Sequence, residues 1–411
     1  QILRQERDLL TIDAEVDPWL EIAEIHRRVI ERGGPALLFN RVKGSSFPVV
    51  TNLFGTPKRI ELAFGAKPQE LVKQVVHFAE TLLPPRFSKL WENRNLALEA
   101  LKLGTTTVKH GPVLEVVEQS PDLSRLPILT TWQQDGGPFV TLPLVYTEHP
   151  KDKRHNLGMY RLQRHDAGTT GMHWQIGKGG GFHYAIAEQL DEALPVSVFL
   201  GGPPALILAA ITPLPENVGE LMVASLLAGQ RIPMVRQPLS PHPMPAEAEF
   251  VLQGHVPPRE RRPEGPFGDH YGYYSLRHDY PVFHVDRILH RRDAIYPATV
   301  VGKPRQEDFF IGDYLQELLS PLFPLVMPGV RDLGSYGETG FHSLAAAVVK
   351  ERYGREAMAS AFRILGEGQL SLTKFLIATD SAVDLRNFPR LLAHVLERDE
   401  GGLAAARGRA S

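Results

Sequence analysis

Two carboxylates five residues apart, Glu264 and Asp269, lie in the run Arg262-Pro263-Glu264-Gly265-Pro266-Phe267-Gly268-Asp269-His270-Tyr271-Gly272-Tyr273-Tyr274. Its two prolines and three glycines exclude a regular helix and interrupt a strand, so the segment reads as an ordered loop. A pair of acids on a stiff frame beside aromatic rings suits proton transfer to a flat, apolar substrate. The same acids would also be at home, simply solvated, in a surface turn. A second segment, Asn156-Leu157-Gly158-Met159-Tyr160-Arg161, opens with an amide and closes with a guanidinium. Arginine holds a carboxylate by two parallel hydrogen bonds; the plainer reading is a strand with a surface ion pair. A third, Met172 to Tyr184, is glycine-rich with one lysine, and its N–H groups could cradle a phosphate. It lacks the GxxxxGK[ST] spacing of a P-loop and reads equally well as a hairpin tip. His173 and His183 within it, each taken singly, read as structural. Glu220 stands in the first turn of an apolar helix, where the helix dipole favours an anion. If Asn156 lies opposite, the two oxygens suit a hard cation such as Mg²⁺ or Mn²⁺; if not, Glu220 is a cap or is solvated.

These residues must be positioned by a chain of 411 residues, enough for two or three domains with a large core. Hydrophobic residues make up 43% and charged residues 22%, as in ordinary globular proteins. The formal net charge of −2 gives no electrostatic reason for a nucleic-acid or membrane-surface partner. Cysteine is absent, which removes disulfides, thiolate metal sites and a cysteine nucleophile, and agrees with a cytoplasmic setting. The charged start Gln1–Asp8 has no apolar signal core, and no apolar run is long enough to span a membrane.

Apolar residues at helical spacing predict a helix over 19–32, ended by Gly33-Gly34, and another over 67–81. Short apolar runs at 36–39 and 48–54 predict strands, so residues 1–104 read as an N-terminal α/β domain. From 105 to 300 turn signals recur every ten to fifteen residues. Strands are expected at 105–109, 113–117, 139–145, 156–163, 172–176, 195–200, 249–254 and 281–288, with one helix near 218–228. This spacing suggests an antiparallel barrel or sandwich. Residues 301–411 return to helices (308–320, 355–365) and apolar strands (344–349, 374–379), and the tail after Asp399 is expected to fray.

Taken together these stretches resemble the UbiD family of decarboxylases, from about Asp17 to Asp384. Gly33–Phe39, Asn52–Arg59, Asn156–Arg161, Pro213–Glu220, Pro263–Tyr274 and Lys374–Asp384 carry the resemblance by their order and separation. It implies an α+β fold with a central split β-barrel of the flavin-reductase kind, flanked by N-terminal and C-terminal α/β regions. It implies prenylated FMN as cofactor, supplied by a flavin prenyltransferase, a small-molecule carboxylic acid as substrate, and a homodimer or larger assembly such as a hexamer. By the same resemblance Arg161 matches the arginine that engages the substrate carboxylate, Glu264 the glutamate paired with it, and Asp269 the acid that delivers the proton replacing CO₂. Gly158, Met159, Tyr160, Trp174, Gln175 and Lys374 fall in the cofactor-binding stretches. Asn156 and Glu220 match two ligands of a divalent metal, usually manganese, on the flavin phosphate. Ala209, Ala210 and Thr212 match the surroundings of a monovalent cation, usually potassium. Gly177 stands where the family has its third metal ligand, a histidine, with His183 six residues on. The chain also stops soon after Asp384, where family members often continue into a dimerisation arm.

The expectation is therefore reversible, non-oxidative decarboxylation of an aromatic or α,β-unsaturated acid, with a hydroxyaryl quinone precursor as the default substrate. The alternative, motivated by Gly177, is a non-catalytic flavin-binding or assembly homologue that has lost the metal clamp.

Overall fold

The computed structural model describes residues 1–82, 103–174, 179–214, 218–238, 240–366 and 368–398. The chain divides into two compact units, residues 1–68 with 95–311, and residues 69–94 with 312–411. Both mix helices and strands. The expected frayed tail lies outside the described residues.

The first unit opens with β1 (Leu9–Val16), α1 (Glu21–Glu31), β2 (Ala36–Val42) and β3 (Val49–Thr51). β2 lies parallel to β1 and antiparallel to β3, and Tyr296–Pro297 adds in parallel beyond β3. α1 buries Ile22, Ala23 and Ile30, the stripe that its sequence marks out. β1 was not legible in the sequence: it is an edge strand that buries only Val16, so no alternating pattern exists to be read.

The larger sheet contains β4 (Val116–Glu118), β5 (Leu144–Glu148), β6 (His155–Met159), β7 (Thr169–Gly171), β8 (Leu194–Leu200), β9 (Phe250–Val256), β10 (Arg261–Glu264) and β11 (His278–His290). Its order is β7-β11-β9-β8-β5-β6, every pair antiparallel, with β4 and β10 also on the long strand β11. Among the described residues the pairing does not return from β6 to β7, so the strands form no closed ring. The sheet buries Val145, Val196, Val198, Leu200, Phe250, Leu252, Phe283 and Ile288 in one cluster. Each such large side chain withdrawn from water contributes about 2 kcal/mol.

Several local expectations are corrected. The expected strand 139–145 breaks at Pro143 into Phe139–Val140 and β5, because proline cannot donate to a ladder. The expected strand 172–176 ends early: β7 stops at Gly171, and Met172–Trp174 leave the ladder. Residues 179–189, open between phosphate cradle and hairpin tip, form α2 (Gly179–Gln189). α3 (Ala205–Ile211) occupies what read only as an apolar segment, and α4 (Glu220–Ala228) begins at Glu220. Pro263 sits inside a strand after all, since β10 pairs on one side only, with β11.

In the second unit Leu344–Val349 is the middle strand, antiparallel to Val330–Ser335 and parallel to Phe375–Thr379. Helix Glu356–Leu365 buries Ile364 in the cluster on one side of this sheet, and helix Phe388–Arg398 buries Leu391 in a separate cluster. Lys374 directly precedes the strand Phe375–Thr379.

A buried polar knot closes the first unit. Glu307, at the start of helix Glu307–Leu319, accepts from the backbone N–H groups of Asn52 (3.2 Å) and Phe54 (2.8 Å) and from the Thr299 hydroxyl. Burial pushes its pKa up, and pushes that of the neighbouring His26 down to about 3. Asp308, next along, is half-buried with its Oδ1 fully enclosed, and is raised to about 7 by desolvation, with Glu307 adding to the shift. A folded-state pKa above the unfolded value of about 3.9 favours the protonated form in the native state. Asp308 therefore costs nothing below about pH 4 and destabilises progressively as pH rises to about 7. Asp308→Asn is expected to raise the thermal midpoint at pH 8 and leave it unchanged at pH 4; equal shifts at both pH values would contradict this.

Candidate active site

Arg161 follows β6 by two residues and His173 follows β7 by two. The His173 N–H donates to the Arg161 carbonyl (3.3 Å), so the two segments run side by side. Glu264 ends β10, whose partner β11 also carries β7; this shared strand brings Glu264 beside His173, and the His173–Arg161 backbone bond brings in Arg161. Arg161 Nε and Nη2 each reach Glu264 Oε1 at 3.0 Å, and His173 Nδ1 reaches the same oxygen at 2.8 Å. Glu264 is 1% exposed, and its other oxygen, Oε2, is buried without a partner. The Phe267 ring lies 4.5 Å from the guanidinium, and the Tyr280 ring 4.3 Å from the His173 imidazole. A cation over an aromatic face and an imidazole packed at a tilt against a ring are both restrained in orientation. His165 stands behind, its pKa lowered by burial; its Nε2 and Glu264 Oε2 lie 3.2 and 3.4 Å from where a Cβ on Gly171 would stand.

The loop after Glu264 is held by residues that the sequence did not single out. Gln163 Oε1 accepts from Gly265 N–H, and its Nε2 donates to the Gly136 carbonyl, both at 2.7 Å. Gly136 N–H in turn donates to the Pro266 carbonyl at 2.7 Å. A Cβ on Gly136 would stand 2.2 Å from the Gly265 oxygen, so only glycine admits this approach. Asp135 Oδ1 accepts from Gly268 N–H (2.8 Å), while its Oδ2 takes the Thr131 and Trp132 N–H groups; burial raises its pKa. Asp269 is turned to its own loop: Oδ1 accepts from Tyr271 N–H at 2.9 Å, and its N–H donates to the Tyr273 carbonyl. Among the described residues no hydrogen bond or ion pair joins Asp269 to Arg161 or Glu264.

A second cluster gathers at the start of α2. Asn156 on β6, Tyr160, Trp174 and Glu220 converge there. Glu220 accepts from Leu157 N–H, and burial pushes its pKa up. The Tyr160 hydroxyl accepts from Gly180 N–H (3.4 Å) and bonds the Asn156 side chain. A Cβ on Gly179 would stand 2.2 Å from Asn156 Oδ1, and one on Gly180 2.7 Å from Trp174 Nε1. Tyr160 folds back over Gly158, where a Cβ would stand 2.5 Å from its ring; Met159 is half-buried beside it. Asn156 Nδ2, Trp174 Nε1 and Glu220 Oε2 are buried with no partner. Three orphaned polar atoms in one place are costly unless a ligand satisfies them. Gln175 and Gly177 lie outside the described residues. His183 Nδ1 bonds the Thr147 hydroxyl (2.9 Å) on β5, opposite Asn156 in the ladder, and its ring meets His149; burial pushes it down to about 4. Among the described residues no three His, Asp or Glu side chains form a metal-holding group. Ala209 and Ala210 lie in the last turn of α3; Thr212 caps it and donates its hydroxyl to the Leu208 carbonyl.

Gln163→Leu would strand the buried Gly265 N–H, at about 1–3 kcal/mol, and would take the donor from the carbonyl of the exposed Gly136, which water can satisfy. Chemical denaturation is expected to show a loss of about 2 kcal/mol, and a loss below about 0.5 kcal/mol would mean that the loop is held by other contacts.

Comparison with known proteins agrees with this architecture. Models of the 3-octaprenyl-4-hydroxybenzoate carboxy-lyase N-terminal, Rift-related and C-terminal domains match residues 1–79, 105–304 and 309–401. The chain is 56% identical over 397 residues to a Chlamydia pneumoniae protein named as one subunit of a 4-hydroxybenzoate decarboxylase, and the match spans 97% of this chain and 68% of that protein. An uncharacterised protein of Archaeoglobus fulgidus is 37% identical over 397 residues, 96% of this chain and 82% of that one. Among solved structures, vanillic acid decarboxylase of Sedimentibacter hydroxybenzoicus in closed form superposes with a TM-score of 0.82 at 27% identity, covering 97% of this chain and 83% of that one. The UbiD-class enzyme HmfF of Pelotomaculum thermopropionicum, in an evolved dimeric form with prFMN, shares the fold at a TM-score of 0.79 and 24% identity, over 97% of this chain and 88% of that one. Three consecutive family models and relatives well above a third identical over nearly the whole chain lead to one assignment: the protein belongs to the UbiD family of carboxy-lyases.

Proposed function

We propose that this UbiD-class decarboxylase carries out reversible, non-oxidative decarboxylation of a hydroxylated aromatic acid with prenylated FMN. The observation that carries the reading is the convergence of Arg161 and Glu264 beneath aromatic rings. The 4-hydroxybenzoate and vanillate activities named for its relatives support an aryl acid.

The orphaned atoms of the second cluster fit the cofactor's phosphate and a divalent cation. Asn156 and Glu220 would hold Mn²⁺ or Mg²⁺, since a buried carboxylate raised by desolvation is stabilised by an adjacent cation. Gly158, Met159, Tyr160, Trp174, Gln175 and the α2 N-terminus would line the flavin. Backbone carbonyls of Ala209, Ala210 and Thr212 would take K⁺. Prenylated FMN, when bound, supplies an electron sink for carbon–carbon cleavage.

The chain's own residues do the rest. Arg161 spends Nε and one face of Nη2 on Glu264, which leaves Nη1 for a substrate carboxylate. Glu264 fixes the guanidinium plane, and Phe267 and Phe139 exclude water from it. The proton that replaces the carboxylate comes from an acid of the same loop region; the resemblance assigns it to Asp269. We further propose a split-barrel arrangement for the β4–β11 region, assembly as a homo-oligomer, and a flavin prenyltransferase as cofactor supplier.

Coexpression with a flavin prenyltransferase is expected to yield coloured protein with near-stoichiometric manganese. Glu220→Gln is expected to lose both, without loss of folding. Holoprotein given 4-hydroxybenzoate and related acids in deuterium oxide should release CO₂ and exchange ring protons, and Arg161→Ala should lower turnover by at least about a hundredfold. Absence of decarboxylation and exchange across the acid panel, or full turnover by Arg161→Ala, would refute the assignment.

A further inference from the structure

Resting on that reading, in which Asp269 delivers the proton, we propose that Trp132 is a positioning residue for the proton step: its indole, wedged between Gly268 and Gly302, sets where the Asp269 loop stands. The ring is fixed from outside the loop. Its Nε1–H donates to the Val301 carbonyl (2.8 Å), and the Arg27 guanidinium of α1 lies 4.2 Å from the ring centroid. Arg27 is held in turn by the Thr131 carbonyl (2.8 Å) and by Glu24. The loop meets the ring at the residue before Asp269. A Cβ on Gly268 would stand 2.3 Å from Trp132 Cδ1, and one on Gly302 2.6 Å from Cζ2. Gly268 has no positive φ, so glycine serves the close approach alone there.

One carboxylate anchors both the ring's backbone and the loop. Asp135 Oδ2 accepts from Trp132 N–H and Oδ1 from Gly268 N–H, both at 2.8 Å. On the far side of Asp269 the stem of Lys303, one residue past Gly302, lies against Gly272, where a Cβ would stand 3.0 Å from Cδ. Between these two grips the chain forms a closed turn. Gly272 N–H donates to the Asp269 carbonyl and Asp269 N–H to the Tyr273 carbonyl, each at 3.0 Å. An aspartate side chain is short and has few rotamers, so the place of the turn decides where its carboxyl group reaches. Glu264, by contrast, is set by β10 and by Gln163 at Gly265. Trp132 therefore acts on the second acid of the loop and not on the first. In the step concerned, Asp269 gives up its proton as a C–H bond forms with the electron pair left by departing CO₂. Displacing such a group by about 1 Å costs about a hundredfold. Carbon–carbon cleavage draws on Arg161 and Glu264 instead.

The test uses cofactor-loaded protein with 4-hydroxybenzoate as probe and reads two exchanges. Deuterium entering the ring of the product phenol from deuterium oxide requires the proton step. Labelled bicarbonate entering 4-hydroxybenzoate requires only cleavage and its reversal. Trp132→Leu, which removes the wedge, is expected to lose at least about thirtyfold in deuterium exchange, with bicarbonate exchange, KM and cofactor loading within about threefold of wild type. Trp132→Phe, which keeps a ring under Arg27, should show the same split with a smaller loss. Gly268→Ala, which pushes the loop off the same ring, should reproduce the loss. Combined with Trp132→Leu it should recover part of it, because the methyl group then occupies space left by the indole. Equal losses in both exchanges, or loss of cofactor in step with activity, would make Trp132 merely structural and overturn the proposal, as would wild-type deuterium exchange in Trp132→Leu. Should Trp132→Leu not fold, Trp132→Phe and Gly268→Ala must show the split or the proposal falls. Intact deuterium exchange in Asp269→Asn would remove the acid that the wedge serves and sink this inference while the decarboxylase reading stood. Wild-type protein inert toward every acid tested would sink both.

Discussion

One oxygen atom carries three donors. Glu264 Oε1 receives Nε and Nη2 of Arg161 and Nδ1 of His173, three contacts on one buried point. A fully buried carboxylate is stable only if its charge is matched and its lone pairs are used. Here the matching is done on one oxygen, and Oε2 is left bare beside Gly171. The cost is offset by the sheet, in which one long strand fixes the Glu264 and His173 segments and a backbone hydrogen bond ties Arg161 to His173, and by the aromatic rings packed on the guanidinium and the imidazole.

The arrangement explains why the site stands at strand ends. Arg161 and His173 both leave the ladder two residues past a strand, and Glu264 is the last residue of its own. Each side chain is aimed by a rigid strand, yet its backbone is free of the alternation that would turn every second residue away. The Gln163 amide and the Asp135 carboxylate repeat the device on the loop, substituting side chains for the backbone partners that Gly265 and Gly268 lack.

The second cluster follows a different logic. Glycines at 179 and 180 let β6 and Trp174 approach the helix start so closely that polar atoms are trapped without partners. Polar atoms buried in this way are costly unless a ligand satisfies them.

Motif order along the chain was enough to identify the family, because the separation of six short stretches is a property of the covalent chain. The residue types at 161, 220 and 264 were legible for the same reason. Long amphipathic helices were legible from their apolar period, whereas β1, α2 and α3 were not: an exposed edge strand, a glycine-led helix and an all-apolar helix carry no distinguishing period. The Glu264–His173 contact spans 91 residues and the Gly265–Gln163 contact 102, and no local spacing encodes either. Neither His173 nor Gln163 was marked out by its local sequence; pairing of β7 and β10 on β11 gave His173 its partner, and pairing of Leu162–Gln163 with Phe139–Val140 stands beside the contacts of Gln163. Chain order determined which groups the protein owns; the register of one thirteen-residue strand decided which of them meet, since hydrogen-bonded pairing sets distance where sequence sets only succession.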